Sequence, residues 1–143
     1  MKNYLTNSDS ETIKLGEDFA GELEDGDVVL LTGDLGAGKT TFVQGIAKGL
    51  KIKDRILSPT FVLVRNHEVD SEKFNNLNHI DLYRIEGENN LEKLGISEFV
   101  SNPKSVTIIE WAEKLKNFNP KKGYKIKFVY KDENKREIEI ENI

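Results

Sequence analysis

The spacing of apolar residues changes twice in the first third of the chain, and each change marks a predicted element. The capping-box pattern S-x-x-E at residues 8–11 predicts a helix that ends near Glu24. The apolar face of this helix is formed by Ile13, Phe19, Ala20 and Leu23. Residues 27–32, DVVLLT, form a short apolar run that predicts a buried strand. Helical spacing then returns and predicts a second helix over residues 40–50.

Short apolar runs and period-two alternation predict the strands of the remaining chain, at residues 61–68, 77–85, 105–110, 124–130 and 137–143. Polar links suggest that the first two and the last two of these strands form antiparallel hairpins. Helical spacing predicts two further helices, at residues 91–100 and 111–117. We therefore expect residues 1–143 to form a single α/β domain whose central sheet is partly parallel and partly antiparallel.

The composition narrows the possible chemistry. The chain has 143 residues and a formal net charge of −4. It has no cysteine, which excludes thiol catalysis and favours a cytoplasmic location. The N-terminal residues lack the apolar core of a secretory signal, and the apolar run near VVLL is too short to cross a bilayer. An acidic chain is poorly suited to bind nucleic acid tightly on its own. We expect no membrane association and no DNA partner.

The stretch GDLGAGKTTF, residues 33–42, matches the pattern G-x-x-x-x-G-K-[ST] of a phosphate-binding loop. A predicted strand precedes it and a predicted helix follows it, which is the context that the pattern requires. Lys39 is expected to reach the β- and γ-phosphates, Thr40 to offer its hydroxyl to Mg²⁺, and Thr41 to contact the α-phosphate. The candidate nucleotide-binding residues of the loop are Gly33, Asp34, Leu35, Gly36, Ala37, Gly38, Lys39, Thr40 and Thr41.

A phosphate site of this kind needs a carboxylate to hold the metal, at the C-terminal end of a strand next to the loop. Glu110 directly follows the apolar residues of SVTII, and Asp81 lies in NHIDLYR with His79 and Tyr83 on the same face. Either acid could be the metal ligand. Each could instead be a structural carboxylate, Glu110 at the surface and Asp81 in an ion pair with Arg84.

Three further residues allow two interpretations each. Thr60 of SPTF could sense Mg²⁺ and the γ-phosphate, as switch threonines do, or lie in a plain proline-containing loop. Trp111 is expected in the core rather than at a partner surface. His67 is expected at the surface of a hairpin rather than as a metal ligand.

The segments GDLGAGKTTFVQGIAKGL, SPTF, HIDLYR and IEWAEK, in this order, resemble the TsaE family, also called YjeE. The resemblance runs from the N-terminal helix to the C-terminal hairpin. It implies a P-loop NTPase-like, three-layer α/β/α fold with a parallel core and antiparallel hairpins. It also implies a Mg²⁺-dependent ATPase, slow alone and stimulated by partners, that binds ATP or ADP. Such proteins act together with TsaB and TsaD in the formation of threonylcarbamoyladenosine in tRNA. They contact tRNA only indirectly, through their complex with these two proteins.

The resemblance also implies roles for individual residues. Lys39 and Thr40 bind phosphate and Mg²⁺, Glu110 is a Mg²⁺ ligand, Asp81 is a second acid that positions or activates water, and Thr60 is the switch threonine.

The resemblance also implies that Thr12 lies near the adenine end of the nucleotide and that Lys135 or Arg136 makes a further contact there. Adenine is also favoured because no N-K-x-D motif for reading guanine is present.

Two other classes of protein would carry the same phosphate-binding loop. A small-molecule kinase would need an arginine-rich lid, whereas this chain has four arginines and no segment of that kind. A non-catalytic nucleotide-sensing adaptor would tolerate loss of the two acids, and both are present.

Overall fold

The computed structural model describes residues 1–34, 36–53, 64–86 and 90–143. The strands of the described residues form one sheet in the order β1-β7-β6-β2-β5-β4-β3. They are β1 (Lys2–Thr6), β2 (Val28–Gly33), β3 (Val64–Glu68), β4 (Asn76–Asp81), β5 (Ser105–Glu110), β6 (Gly123–Tyr130) and β7 (Arg136–Asn142). The helices are α1 (Asp9–Ala20), α2 (Lys39–Gly49), α3 (Leu91–Leu94) and α4 (Ser97–Ser101), with a 3₁₀ turn at Ala112–Lys114.

The centre of the sheet is parallel and its flanks are antiparallel. β2 runs parallel to β5 and β6, and β5 runs parallel to β4. The pairs β3–β4, β6–β7 and β1–β7 are antiparallel. All six residues of β5 are buried, as expected for a parallel strand covered on both faces. The predicted mixed sheet is confirmed.

The two faces of the sheet carry different layers. On one face, Val29 and Leu31 of β2 pack beneath α1 and α2, where the rings of Phe42 and Phe128 lie 5.4 Å apart. On the other face, Leu30, the neighbouring apolar residues of β4 and β5 and the short helices α3 and α4 form a second core. The expected three-layer arrangement is therefore confirmed.

Helices α1 and α2 approach each other through glycines. A Cβ added to Gly16 would lie 3.1 Å from the Cα of Gly45, and one added to Gly45 would lie 2.9 Å from the carbonyl carbon of Ile13. Farther along, Gly49 faces Glu17 in the same way. The helices therefore run in the same direction with their backbones in contact, so that the start of α1 lies on the same side as the start of α2.

The N-terminal helix begins as predicted. Ser8 is the N-cap of α1, and its hydroxyl accepts a hydrogen bond from the amide of Glu11. The carboxylate of Glu11 accepts in return from the amide of Asn7, at 3.4 Å. Strand β1, just before this cap, was not predicted, because its five residues show little apolar alternation. It pairs along its length with β7.

Several predicted boundaries were wrong. The strand predicted at residues 77–85 ends at Asp81, so Tyr83 lies in the following turn rather than on the strand face. The helix predicted at residues 91–100 is interrupted at Gly95, whose φ of 73° ends α3. The helix predicted at residues 111–117 is reduced to the 3₁₀ turn.

His67, predicted at the surface, is buried. Positions 61–63 of the strand predicted at 61–68 lie outside the described residues.

Within the ranges that the structure covers, no helix is long and apolar enough to cross a membrane.

The substitution Gly45→Ala should lower the free energy of unfolding by about 1–3 kcal/mol, because the added methyl group overlaps the α1 backbone. This loss should exceed the gain in helix propensity from replacing glycine. Chemical denaturation measures the effect. Gly21→Ala is the matched control, because Gly21 has a helical φ of −67° and its added Cβ would make an ordinary 3.5 Å contact. Equal stability of the two variants would contradict the close-packing argument.

Candidate nucleotide-binding site

The glycine-rich loop joins β2 to α2. Gly36 and Gly38 have φ values of 78° and 101°, which residues with a Cβ rarely adopt. Gly38 is the N-cap of α2, and no side chain caps the first turn of that helix. The first backbone amides of α2 are therefore available to an anion, at the positive end of an eleven-residue helix. Leu35, a predicted loop residue, lies outside the described residues.

Lys39 lies inside the loop and is only 5% exposed. Its ammonium group donates to the carbonyl oxygens of Gly33 and of Asp34, the latter at 2.8 Å, and lies 4.1 Å from the centre of the Trp111 ring. Burial lowers the pKa of Lys39, and the negative charges of nearby acids, that of Glu113 foremost, oppose this shift. The cation is thus held by neutral acceptors and an aromatic face, with acids close by.

Thr40, Glu110 and His79 form a chain of contacts beneath the loop. The hydroxyl of Thr40 donates to Oε1 of Glu110 at 2.9 Å, and Nε2 of His79 contacts Oε2 of the same carboxylate. Glu110 is 2% exposed and His79 is fully buried. If the carboxylate is ionised it only accepts hydrogen bonds, and Nε2 of His79 is then the donor of this contact. Both oxygens of Glu110 are therefore oriented by protein side chains.

Asp81 lies beside Glu110, because the two residues are partners in the parallel register of β4 and β5. Its Oδ1 accepts a hydrogen bond from the amide of Tyr83 at 2.9 Å, which stabilises the turn that ends the strand. Leu31, two residues before the loop, is the partner of Glu110 on the other side. Both acids thus lie at the C-terminal ends of their strands next to the loop, as the sequence indicated for Glu110, whereas Asp81 was expected inside a longer strand.

The oxygen atoms gathered here suit a hard cation. The hydroxyl of Thr40 and the carboxylate of Glu110 are ligands that Mg²⁺ accepts. Among the described residues no group of three or more acids or histidines could hold a metal by itself. This donor set fits Mg²⁺, which usually keeps water and phosphate oxygens and takes only one or two ligands from protein side chains.

Arg136 packs against the loop from the C-terminal hairpin. Its Cγ would lie 3.6 Å from a Cβ added to Gly38. Its guanidinium donates to the carbonyl oxygens of Asp132 and Lys135, at 2.6 and 3.0 Å, and lies 4.7 Å from the Tyr130 ring centre. Arg136 therefore lies beside the loop, and its predicted contact at the adenine end stays a prediction.

Thr12 lies in the first turn of α1 and is 1% exposed. Its hydroxyl is 2.7 Å from that of Thr6, which pairs with Arg136 between β1 and β7. Thr12 therefore lies in the same corner as Arg136, with its hydroxyl in contact with another side chain. Its predicted place at the adenine end stays a prediction. Thr60, the predicted switch threonine, lies outside the described residues.

Sequence reasoning missed the contacts made by the turn after β5. Trp111 has a φ of 59°, which is rare for a residue other than glycine and reverses the chain. Its ring centre lies 5.2 Å from that of Tyr83, with the two rings tilted by 44°, and 4.1 Å from the Lys39 ammonium, so Trp111 is part of the site rather than only of the core. Glu113, two residues on, accepts a hydrogen bond from the amide of Gly33 at 3.2 Å. No periodicity in the sequence signals these contacts.

The parallel strands, the glycine loop that leads into α2, and the acids at the ends of β4 and β5 together define a P-loop NTPase-like protein. Comparison with known proteins narrows this class. Residues 6–138 match the family model described as "Threonylcarbamoyl adenosine biosynthesis protein TsaE". The chain belongs to the TsaE family.

Relatives support this membership over nearly the whole chain. A protein of Aquifex aeolicus (strain VF5) named "tRNA threonylcarbamoyladenosine biosynthesis protein TsaE" is 38% identical over 142 residues, which is 98% of this chain and 96% of the relative. The protein of the same name from Bacillus subtilis (strain 168) is 35% identical over 135 residues, 94% of this chain and 82% of the relative. A crystal structure of Bacillus subtilis YdiB superposes with a TM-score of 0.69 at 32% identity, covering 96% of this chain and 82% of that chain.

Replacing His79 by phenylalanine should lower the free energy of unfolding by about 3 kcal/mol, because the buried carboxylate of Glu110 loses a partner. The double variant H79F/E110Q should be more stable than the sum of the two single effects predicts, since the amide carries no charge to leave unpaired. Denaturation of all four proteins completes the double-mutant cycle. Strictly additive effects would contradict the coupling between His79 and Glu110.

Proposed function

We propose that the protein binds ATP with Mg²⁺ and hydrolyses it slowly, as a component of the machinery that makes threonylcarbamoyladenosine in tRNA. The observation that carries the proposal is the 2.9 Å hydrogen bond from Thr40 in the loop to Glu110 at the end of β5. It joins the phosphate-binding element to an oriented carboxylate, with Lys39 next to both. A loop that served only to bind an anion would not need this acid.

Each residue then has a distinct task. Lys39 neutralises charge on the β- and γ-phosphates, and the free amides of the loop and of α2 bind phosphate oxygens. Thr40 and Glu110 would hold Mg²⁺, which when bound neutralises phosphate charge. Asp81, beside Glu110 in the register, positions the attacking water or accepts its proton. Thr12 and Arg136, in the corner next to Gly38, are proposed to lie near the adenine.

Hydrolysis by the chain alone is expected to be slow. Stabilising the charge that develops in phosphoryl transfer usually takes an arginine finger. Arg136 is the arginine that packs on Gly38, and its guanidinium is bonded to carbonyl oxygens of its own hairpin. We propose that a partner protein completes the site and accelerates turnover.

The proposed partners are TsaB and TsaD, with tRNA met only through their complex. The relatives are named as biosynthesis proteins of tRNA threonylcarbamoyladenosine, which supports a place in that pathway. We place the protein in the cytoplasm, and the absence of cysteine is in keeping with this.

Replacement of Lys39 by alanine should weaken ATP binding at least tenfold, because the phosphates lose the cation inside the loop. Isothermal titration of ATP with Mg²⁺ into both proteins measures the change. Lys14→Ala is a matched control, because Lys14 is exposed on α1 in an ion pair with Asp18. Unchanged affinity in the Lys39 variant would remove the loop from nucleotide binding.

The proposed function is tested in cells that depend on this protein. Depletion of the protein should lower the amount of threonylcarbamoyladenosine in bulk tRNA, measured by mass spectrometry. A plasmid copy of the gene should restore the modification. Copies carrying Asp81→Asn or Glu110→Gln should fail to restore it although they accumulate normally, because hydrolysis is impaired. Affinity capture with ATP should recover TsaB and TsaD. Normal tRNA modification, together with loss of a phosphorylated metabolite, would instead favour a kinase.

A further inference from the structure

The turn after β5 places a carboxylate at the entrance of the loop. Trp111 adopts the left-handed conformation, and the 3₁₀ turn that follows folds back over the end of β2. Oε2 of Glu113 thereby accepts a hydrogen bond from the amide of Gly33, the first residue of the loop pattern, at 3.2 Å. An acid thus occupies a backbone donor at the start of the loop.

The charge of Glu113 also acts on Lys39. Of the acids that oppose the effect of burial on the Lys39 pKa, Glu113 contributes most, ahead of Glu110. The Lys39 ammonium meanwhile donates to two carbonyl oxygens of the loop and lies over the Trp111 ring. The residue that should bind phosphate is therefore engaged by the protein itself, and residues of the turn contribute to this arrangement.

We propose that Glu113 sets the nucleotide affinity of the site by acting as an internal anion at the first amide of the loop. A nucleotide must then bring its own negative charge close to this carboxylate, and Lys39 must exchange its carbonyl acceptors in the loop for phosphate oxygens. The inference rests on the proposed function, since it assumes that the loop binds a nucleoside triphosphate.

The expected size of the effect of Glu113 on nucleotide affinity follows from the solvent exposure of its side chain. The side chain of Glu113 is exposed to solvent, so its repulsion of phosphate is partly screened and should change affinity only a few-fold. The effect should be larger for ATP than for ADP, because ATP carries more charge. It should also shrink as salt is added. A purely structural role for Glu113 would show neither dependence.

The test is Glu113→Gln, which removes the charge but keeps a side-chain oxygen that can accept from the Gly33 amide. Calorimetry with ATP in EDTA at low ionic strength should show binding about three- to fivefold tighter than in the wild-type protein. The difference should be smaller with ADP and should largely disappear at about 0.5 M salt. Unfolding midpoints of the two proteins check that the fold is unchanged.

Glu72→Gln is the matched control. Glu72 is exposed in the connection before β4, at the edge of the sheet opposite to Asp81, and its loss should leave ATP affinity as it was. Wild-type ATP binding with equal or weaker binding by Glu113→Gln would overturn this inference alone. A few-fold gain that persists unchanged at high salt would also overturn it. Absence of ATP binding by the wild-type protein, in EDTA and in Mg²⁺ alike, would overturn the proposed function and this inference with it.

Discussion

The parallel register of β2, β5 and β4 is the constraint on which the candidate site depends. It aligns Leu31, Glu110 and Asp81 across three neighbouring strands. Side chains alternate along a strand, so Glu110 projects to the same face as Ile108, toward α2. A slip of one residue in β5 would turn Glu110 to the opposite face and bury an acid in the second core. The apolar residues that fix the register therefore also determine the face to which Glu110 projects.

Burying a carboxylate is costly unless its oxygens are satisfied, and here two elements satisfy them. His79 reaches Glu110 from β4 and Thr40 reaches it from α2. The arrangement ties the sheet to the first turn of the helix that carries the loop. The two contacts restrict rotation of the carboxylate, which is the property required of a residue that must hold a metal at a fixed place.

The position of the loop is in turn supported by the contact between α1 and α2. Glycines at this contact let the two backbones touch, so α2 lies close to α1 over most of its length. The start of α1 and the hairpin residue Arg136 then border the loop on one side, and the turn at Trp111–Lys114 borders it on the other. The loop is in this way surrounded by side chains that contact its lysine and its first amide.

Local patterns predicted much of this architecture. The apolar run SVTIIE matches β5 without error, and the strand, loop and helix around GDLGAGKTTF lie where the pattern requires. The placement of Glu110 at a strand end near the loop also followed from the sequence, whereas the pattern places Asp81 inside a longer strand than the structure has. These features depend on residues close together in the chain, whose spacing carries the information.

By itself the sequence thus determined the two long helices, most of the strands, the loop and the two candidate acids. The tertiary structure alone decided that His79 orients Glu110, that Trp111 lies over Lys39, and that Glu113 binds the first amide of the loop. The first of these contacts depends on the register between strands. The other two depend on a left-handed turn at a residue other than glycine. Neither leaves a periodic signal in the chain, because each is stabilised by packing between distant segments rather than by local preference.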